Sequence, residues 1–157
     1  MMKRQPFGIW FNIVVAVLTL VSVIVYGVNI AGEGYFKGAS VSNLIAFCVI
    51  AVVMLAAVIV LAQLKLTGAA AAAAEIVSGL LRIAVPVLLS LSLVNLISAR
   101  AEGLGFIYFS NADVLLEVQT PANMASAHGT IASMICLGIS AVFAMIAAFF
   151  TLRKKNA

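Results

Sequence analysis

Residues 44–64 read LIAFCVIAVVMLAAVIVLAQL, an apolar run with no charged residue in it. A hydrocarbon core about 30 Å thick is crossed by about 20 residues at a rise of about 1.5 Å each, so this run has the length of one membrane-spanning helix. Three more stretches meet the same measure, at about 7–28, 83–99 and 127–152. The stretch at 83–99 is the shortest. Its helix extends backward through AAAAAAEIVSGLLR, with a start expected near Ala69 and with Arg82 snorkelling to the membrane boundary.

Composition agrees with this segmentation. The chain has 157 residues, of which 65% are hydrophobic and 9% charged, and its mean hydropathy is +1.24. Soluble domains carry about a quarter charged residues, so the reading is an all-α membrane protein, a four-helix transmembrane bundle in one domain. The opening MMKRQPFGIW followed by an apolar stretch has the outline of a secretory signal. The stretch exceeds the roughly 7 to 15 residues of a signal core, and no small-x-small cleavage site follows, so it is read as a retained first span.

Charge sets the expected orientation. Lys3, Arg4, Lys65, Arg82, Arg153, Lys154 and Lys155 fall on one side of a four-span arrangement, against the single acid Glu75, a net of +6. The other side holds Lys37 and Arg100 against Glu33, Glu102, Asp113 and Glu117, a net of −2, and the two sides together give the chain its +4. Basic residues accumulate on the cytoplasmic side, which places both termini in the cytoplasm. The pI of 9.4 then follows from topology and anionic headgroups, with no nucleic-acid partner required. Neither outer loop has an Asn-x-Ser/Thr acceptor, and together with short loops and a basic tail this favours the cytoplasmic (inner) membrane of a bacterial cell.

The second outer segment, residues 100–126, is the longest connection and is expected to hold a short amphipathic helix. Within it Ser110 followed by Asp113 resembles a capping box, and Val114, Leu115 and Val118 share one helical face. Phe106, Tyr108 and Phe109 suit the headgroup level. Thr120 caps a further helix with Pro121 at its first position. Inside the spans, Gly129, Ser133, Ser140, Ala144 and Ala148 form a small-residue seam, and Ser92, Asn95 and Ser98 form a polar stripe expected to face protein.

The candidate outer-face site for a ligand or partner comprises Asn95, Arg100, Glu102, Asp113, Glu117 and His128. His128 is the single histidine, and Asp113 or Glu117 reaches it if the amphipathic helix folds back. General-base chemistry needs such a positioned partner, whereas a polar residue bonded to a loop needs none. Glu33 and Lys37, four apart, suit a surface pair. No carboxylate, lysine or histidine lies near the centre of any span, where proton relays and coupling ions require one. Cys48 and Cys136 form neither a redox pair nor a zinc pattern, and the glycine-loop, His-Glu-x-x-His and Gly-x-Ser-x-Gly signatures are missing. No catalytic residue, metal site or cofactor is therefore assigned.

Three functions fit. The leading one is a non-enzymatic accessory or scaffold subunit whose outer loop docks a partner membrane protein or a lipid-linked ligand. The second is a transporter or channel subunit competent as a homo-oligomer, with Ser92, Asn95 and Ser133 along a path, and the third is an enzyme using His128 at the outer surface. The lipid bilayer is a partner in all three. Orientation is testable by cysteine labelling after Cys48→Ala and Cys136→Ala: in intact cells an impermeant maleimide is expected to modify Ser40→Cys and Asn111→Cys. Thr67→Cys is expected to react after permeabilisation alone, and its labelling in intact cells would invert the topology.

Overall fold

The computed structural model describes residues 7–64 and 66–150. Lys3, Arg4, Lys65, Arg153, Lys154 and Lys155, and the last two residues of the expected fourth span, lie outside the described residues. Every regular element among the described residues is helical: α1 (Phe7–Ala31), α2 (Leu44–Gln63), α3 (Gly68–Phe109), α4 (Ala112–Val118) and α5 (Pro121–Ala148). Four of them, all but α4, are long and apolar enough to cross a membrane.

The four long helices alternate in direction and pack as a ring. α1 lies against α2 and α5, and α3 lies against the same two, which leaves α1 and α3 on one diagonal. The loops at 32–43 and 110–111, with α4, form one end, here termed the cap. The opposite end, the base, holds Phe7, the α2–α3 connection and Phe150.

Polarity is distributed inside out. Thr19, Ser22, Ser92, Ser133 and Ser140 are fully buried, while Ile24, Val53 and Leu80 are each more than 60% exposed. The protein buries between 22% and 33% of the most apolar window of each long helix, so most of the apolar surface meets something other than this chain. A hydrocarbon surround explains both facts. Hydroxyls have no partner in lipid and turn inward, whereas aliphatic side chains lose nothing by facing it.

The buried hydroxyls satisfy themselves locally. Thr19 donates to the Val15 carbonyl at 2.9 Å, Ser133 to Gly129 at 2.8 Å, and Ser92 to Leu88 at 3.0 Å while the Cys48 Sγ approaches it at 3.8 Å. Ser22 and Ser140 meet across the α1–α5 interface with their oxygens 3.1 Å apart. Each also lies 2.8 Å from a carbonyl of its own helix. A hydroxyl has one proton, so one of the pair donates across the interface and the other donates to its backbone. The small side chains on this seam bring α5 close to α1 on one side and α3 on the other, around a core that includes Val15, Leu55, Leu89, Leu96 and Leu137. Phe11 stacks on Phe143 with centroids 5.5 Å apart nearer the base.

Three expectations change. The third helix starts at Gly68, close to the expected Ala69, but runs unbroken for 42 residues to Phe109, so residues 100–109 continue the helix in place of a loop. Ala, Arg, Glu and Leu in this stretch favour helix, and Gly103 and Gly105 do not break a helix held by its neighbours. The polar stripe does not stay on one face, for Ser92 is buried, Asn95 half-buried and Ser98 exposed. Three residues advance about 300°, so each step of three drifts about 60° around the helix. Finally, the cap of α4 is Asn111, whose side chain accepts from Val114 N at 3.0 Å, while Ser110 donates back to the Phe106 carbonyl at 2.7 Å.

Thr120 caps α5 as expected, accepting from Asn123 N at 3.2 Å with Pro121 at the first position. The seam gives a direct test. Ser140→Ala removes one hydroxyl and is expected to cost about 0.6 kcal/mol, whereas Ser140→Leu wedges α1 from α5 and is expected to cost about 1–3 kcal/mol, both measured by thermal unfolding of the detergent-solubilised protein.

Candidate functional site

The cap is built by a loop that is drawn down onto two helices. Gly32 follows α1, and two residues later Gly34 adopts φ 118°, a conformation that L side chains avoid. Space demands glycine there as well: a Cβ would lie 2.3 Å from the Ala122 carbonyl oxygen. The close approach sets Phe36 into the bundle, where it is 3% exposed and packs with Ile107 and Ala127, flanked by Leu104, Tyr108, Val118 and Met124.

Several polar contacts fix the loop. Phe36 N donates to Ser126 Oγ at 3.1 Å, and Gly38 N to the Ile30 carbonyl at 2.8 Å. Val41 N donates to the buried Tyr26 hydroxyl at 2.6 Å. Below the loop, the Asn29 amide, turned so that both of its ends are satisfied, donates to the Ser126 carbonyl at 3.0 Å and accepts from the Thr130 hydroxyl at 2.9 Å. Gly129 makes room for it, since a Cβ there would come within 2.2 Å of the Asn29 side-chain amide.

Arg100 closes the arrangement from α3. It is 5% exposed, its guanidinium carbon sits 4.6 Å from the Phe36 ring centroid, and Nη2 donates to the Ala39 carbonyl. Its Nε has no hydrogen-bond partner, and no carboxylate pairs with it among the described residues. A desolvated cation over an aromatic face gains roughly 2 kcal/mol, and the carbonyl supplies a second partial negative charge. Gly103, one turn further along, lets the ring approach α3 closely, for a Cβ there would come within 2.7 Å of Phe36.

Of the six residues expected at this end, Arg100 alone is built into the cap's interior. Asn95 is half-buried on α3, about 7 Å along the axis from Arg100, and its side chain makes no hydrogen bond among the described residues. Glu102, Asp113, Glu117 and His128 are exposed. No hydrogen bond or ion pair joins any two of the six among the described residues, and those residues hold no group of three potential metal ligands. Glu33 and Lys37 do pair, at 2.5 Å on the surface.

Phe36, Ser126, Tyr26, Gly34 and Gly103 were not singled out from sequence. The two glycines that precede the aromatic pair in GEGYF are the available signal, and nothing in its spacing marks Ser126.

Outward from this interior the cap is apolar and acidic. Tyr35 is 45% exposed, Phe106 42%, Phe109 87% and Leu116 86%. Tyr35 and Phe106 lie with centroids 6.0 Å apart. α4 hangs from α3 and α5 by Gln119 Nε2 donating to the Ile107 carbonyl at 3.0 Å and Asn123 Nδ2 to the Val118 carbonyl at 2.8 Å. Asp113 and Glu117 therefore stand on a held helix.

Gly34→Ala is expected to release the loop, with increased proteolysis between residues 32 and 42 at unchanged helical content. Gly38→Ala, where φ is 68° and no atom lies within 4 Å of the added carbon, is expected to cost about 1–2 kcal/mol of left-handed strain and to leave cleavage near the parental rate. No protein-family model, curated protein or solved structure matches the chain.

Proposed function

We propose that the chain is a four-span protein of the cytoplasmic membrane, with both termini in the cytoplasm, and that its cap docks a protein partner on the outer side. The charge asymmetry of the sequence supports the orientation. The depth of the bilayer is supported by Arg82 and Arg100, which are separated along α3 by about 27 Å, close to the roughly 30 Å of a hydrocarbon core.

The observation that carries the docking role is how far the exposed apolar groups stand beyond that boundary. Phe109 lies about 13 Å past Arg100 along the helix axis, and the headgroup layer adds about 5–8 Å on each side. Phe109 is 87% exposed, so on this placement it meets water rather than lipid, and Leu116, on the α4 helix that follows, is 86% exposed. Glu102, Asp113 and Glu117 belong to the same end, exposed and without an ion pair among the described residues. Anionic headgroups are repelled by such a surface. A second copy in two-fold contact would set acids against acids. The complementary occupant is a segment with apolar anchors and basic residues, supplied by a different protein.

Neither rival reading has an observation in its favour. Ser92 and Ser133 return their hydroxyls to carbonyls of their own helices, and His128 has no carboxylate bonded to it among the described residues.

Native mass spectrometry of the mildly extracted protein, with lipids and neighbours retained, tests this role. The expected species is a stoichiometric protein complex that weakens with salt. Phe109→Ser with Leu116→Ser, or Asp113→Lys with Glu117→Lys, is expected to reduce the complex about tenfold, equivalent to ~1.4 kcal/mol. Bare monomers or homo-oligomers would overturn the docking role and direct attention to solute flux in vesicles.

A further inference from the structure

Toward the base, α3 and α5 border an open groove of about 440 Å³ lined by Ile83, Pro86, Val87, Leu91, Met145 and Phe149 among others. We propose that this groove holds one acyl chain of an anionic phospholipid whose phosphate sits at Arg82. The inference shares with the preceding one the placement in a bilayer, but it does not depend on the cap, so either can fail without the other.

Length is the first support. The lining on α3 runs from Ile83 to Val94, about 16 Å at 1.5 Å per residue, and one leaflet contributes about 15 Å of hydrocarbon. The groove therefore matches one acyl chain in one leaflet. Its wall is almost wholly apolar, with Ser90 as the polar exception.

Charge complementarity is the second. Arg82 precedes the first lining residue, and its Nη2 donates to the carbonyls of Ala147 and Ala148, each at 2.7 Å, and of Phe150. Ala148 itself lines the groove, so these bonds hold the guanidinium at its mouth. The C-terminal end of α5 supplies about half a negative charge. No carboxylate pairs with Arg82 among the described residues. The residue is half-buried, and Nη1 makes no hydrogen bond among the described residues. A half-buried cationic donor beside an acyl-sized apolar channel suits a phosphodiester on a glycerolipid. A zwitterionic headgroup brings its own cation to the same place and gains less.

The test uses the full chain in mild detergent with equal amounts of dioleoyl phosphatidylglycerol and dioleoyl phosphatidylcholine, and native mass spectrometry of retained lipid. Phosphatidylglycerol is expected to be retained about fivefold better, the preference that one basic residue at an anionic surface confers. Arg82→Gln is expected to abolish the preference. Because that change also removes the carbonyl contacts of α5, Val87→Trp provides the independent variant: it fills the channel, leaves Arg82 in place, and is expected to lower retention of both lipids. Equal retention of the two lipids by the parent protein overturns the proposal. So does undiminished retention by Val87→Trp, or a lipid-free dimer that loses its second copy when Val87 is replaced.

Discussion

The close approach of α5 to its two neighbours is the constraint on which the rest of the molecule depends. In a hydrocarbon surround there is little hydrophobic gain from bringing one apolar helix against another. Packing density and the satisfaction of polar groups do the work instead. α5 meets that demand with Ser126, Thr130, Ser133, Ser140, Ala141, Ala144 and Ala147 buried along its length. Asn29 and Ser22 come from α1 and the loop's Phe36 amide comes from the cap, and all three find partners on this helix. A larger residue on the seam therefore loosens the ring and the cap together.

α3 is organised by different means. It carries an arginine at each end of its central section, and neither has a carboxylate partner among the described residues. Arg82 reaches the last carbonyls of α5, and Arg100 reaches the Ala39 carbonyl and the Phe36 ring. Backbone carbonyls and an aromatic face offer partial charges that bring no titrating group with them. They hold a cation while cancelling its charge only in part, and by them Arg100 fastens a loop and Arg82 the last turn of α5.

Much of this architecture is legible in the residues. The uncharged run at 44–64 and the Thr120-Pro121 start of α5 correspond to elements of the structure because length and capping are local properties. The extension of α3 through Phe109 was harder to read, since Gly103 and Gly105 resemble loop residues until the ring of Phe36 is seen to occupy the space at Gly103. Ser98 was placed on the wrong face by a three-residue spacing that drifts around the helix. Arg100 reads as a boundary charge, but its partners Ala39 and Phe36 lie 61 and 64 positions away in sequence, and no local pattern announces contacts of that kind. The acids of the cap and Phe106 and Phe109 are legible in the sequence, Tyr35 is not, and the height of Phe109 above Arg100 is apparent only with the helix that carries both.

That helix has a mechanical consequence. A single 42-residue element is about 63 Å long at 1.5 Å per residue, roughly twice the thickness of a hydrocarbon core, and no loop interrupts it between the alanine run and the cap. It is a stiff lever. A rotation of about 5° about a point near its middle displaces the cap end by about 3 Å and the base end by about 2 Å. Pro86, near its midpoint, removes one hydrogen bond from the rod and is the natural fulcrum. A load seated on the exposed aromatics would therefore be felt at Glu75 and the alanines as a sideways displacement, with no change in secondary structure along the way.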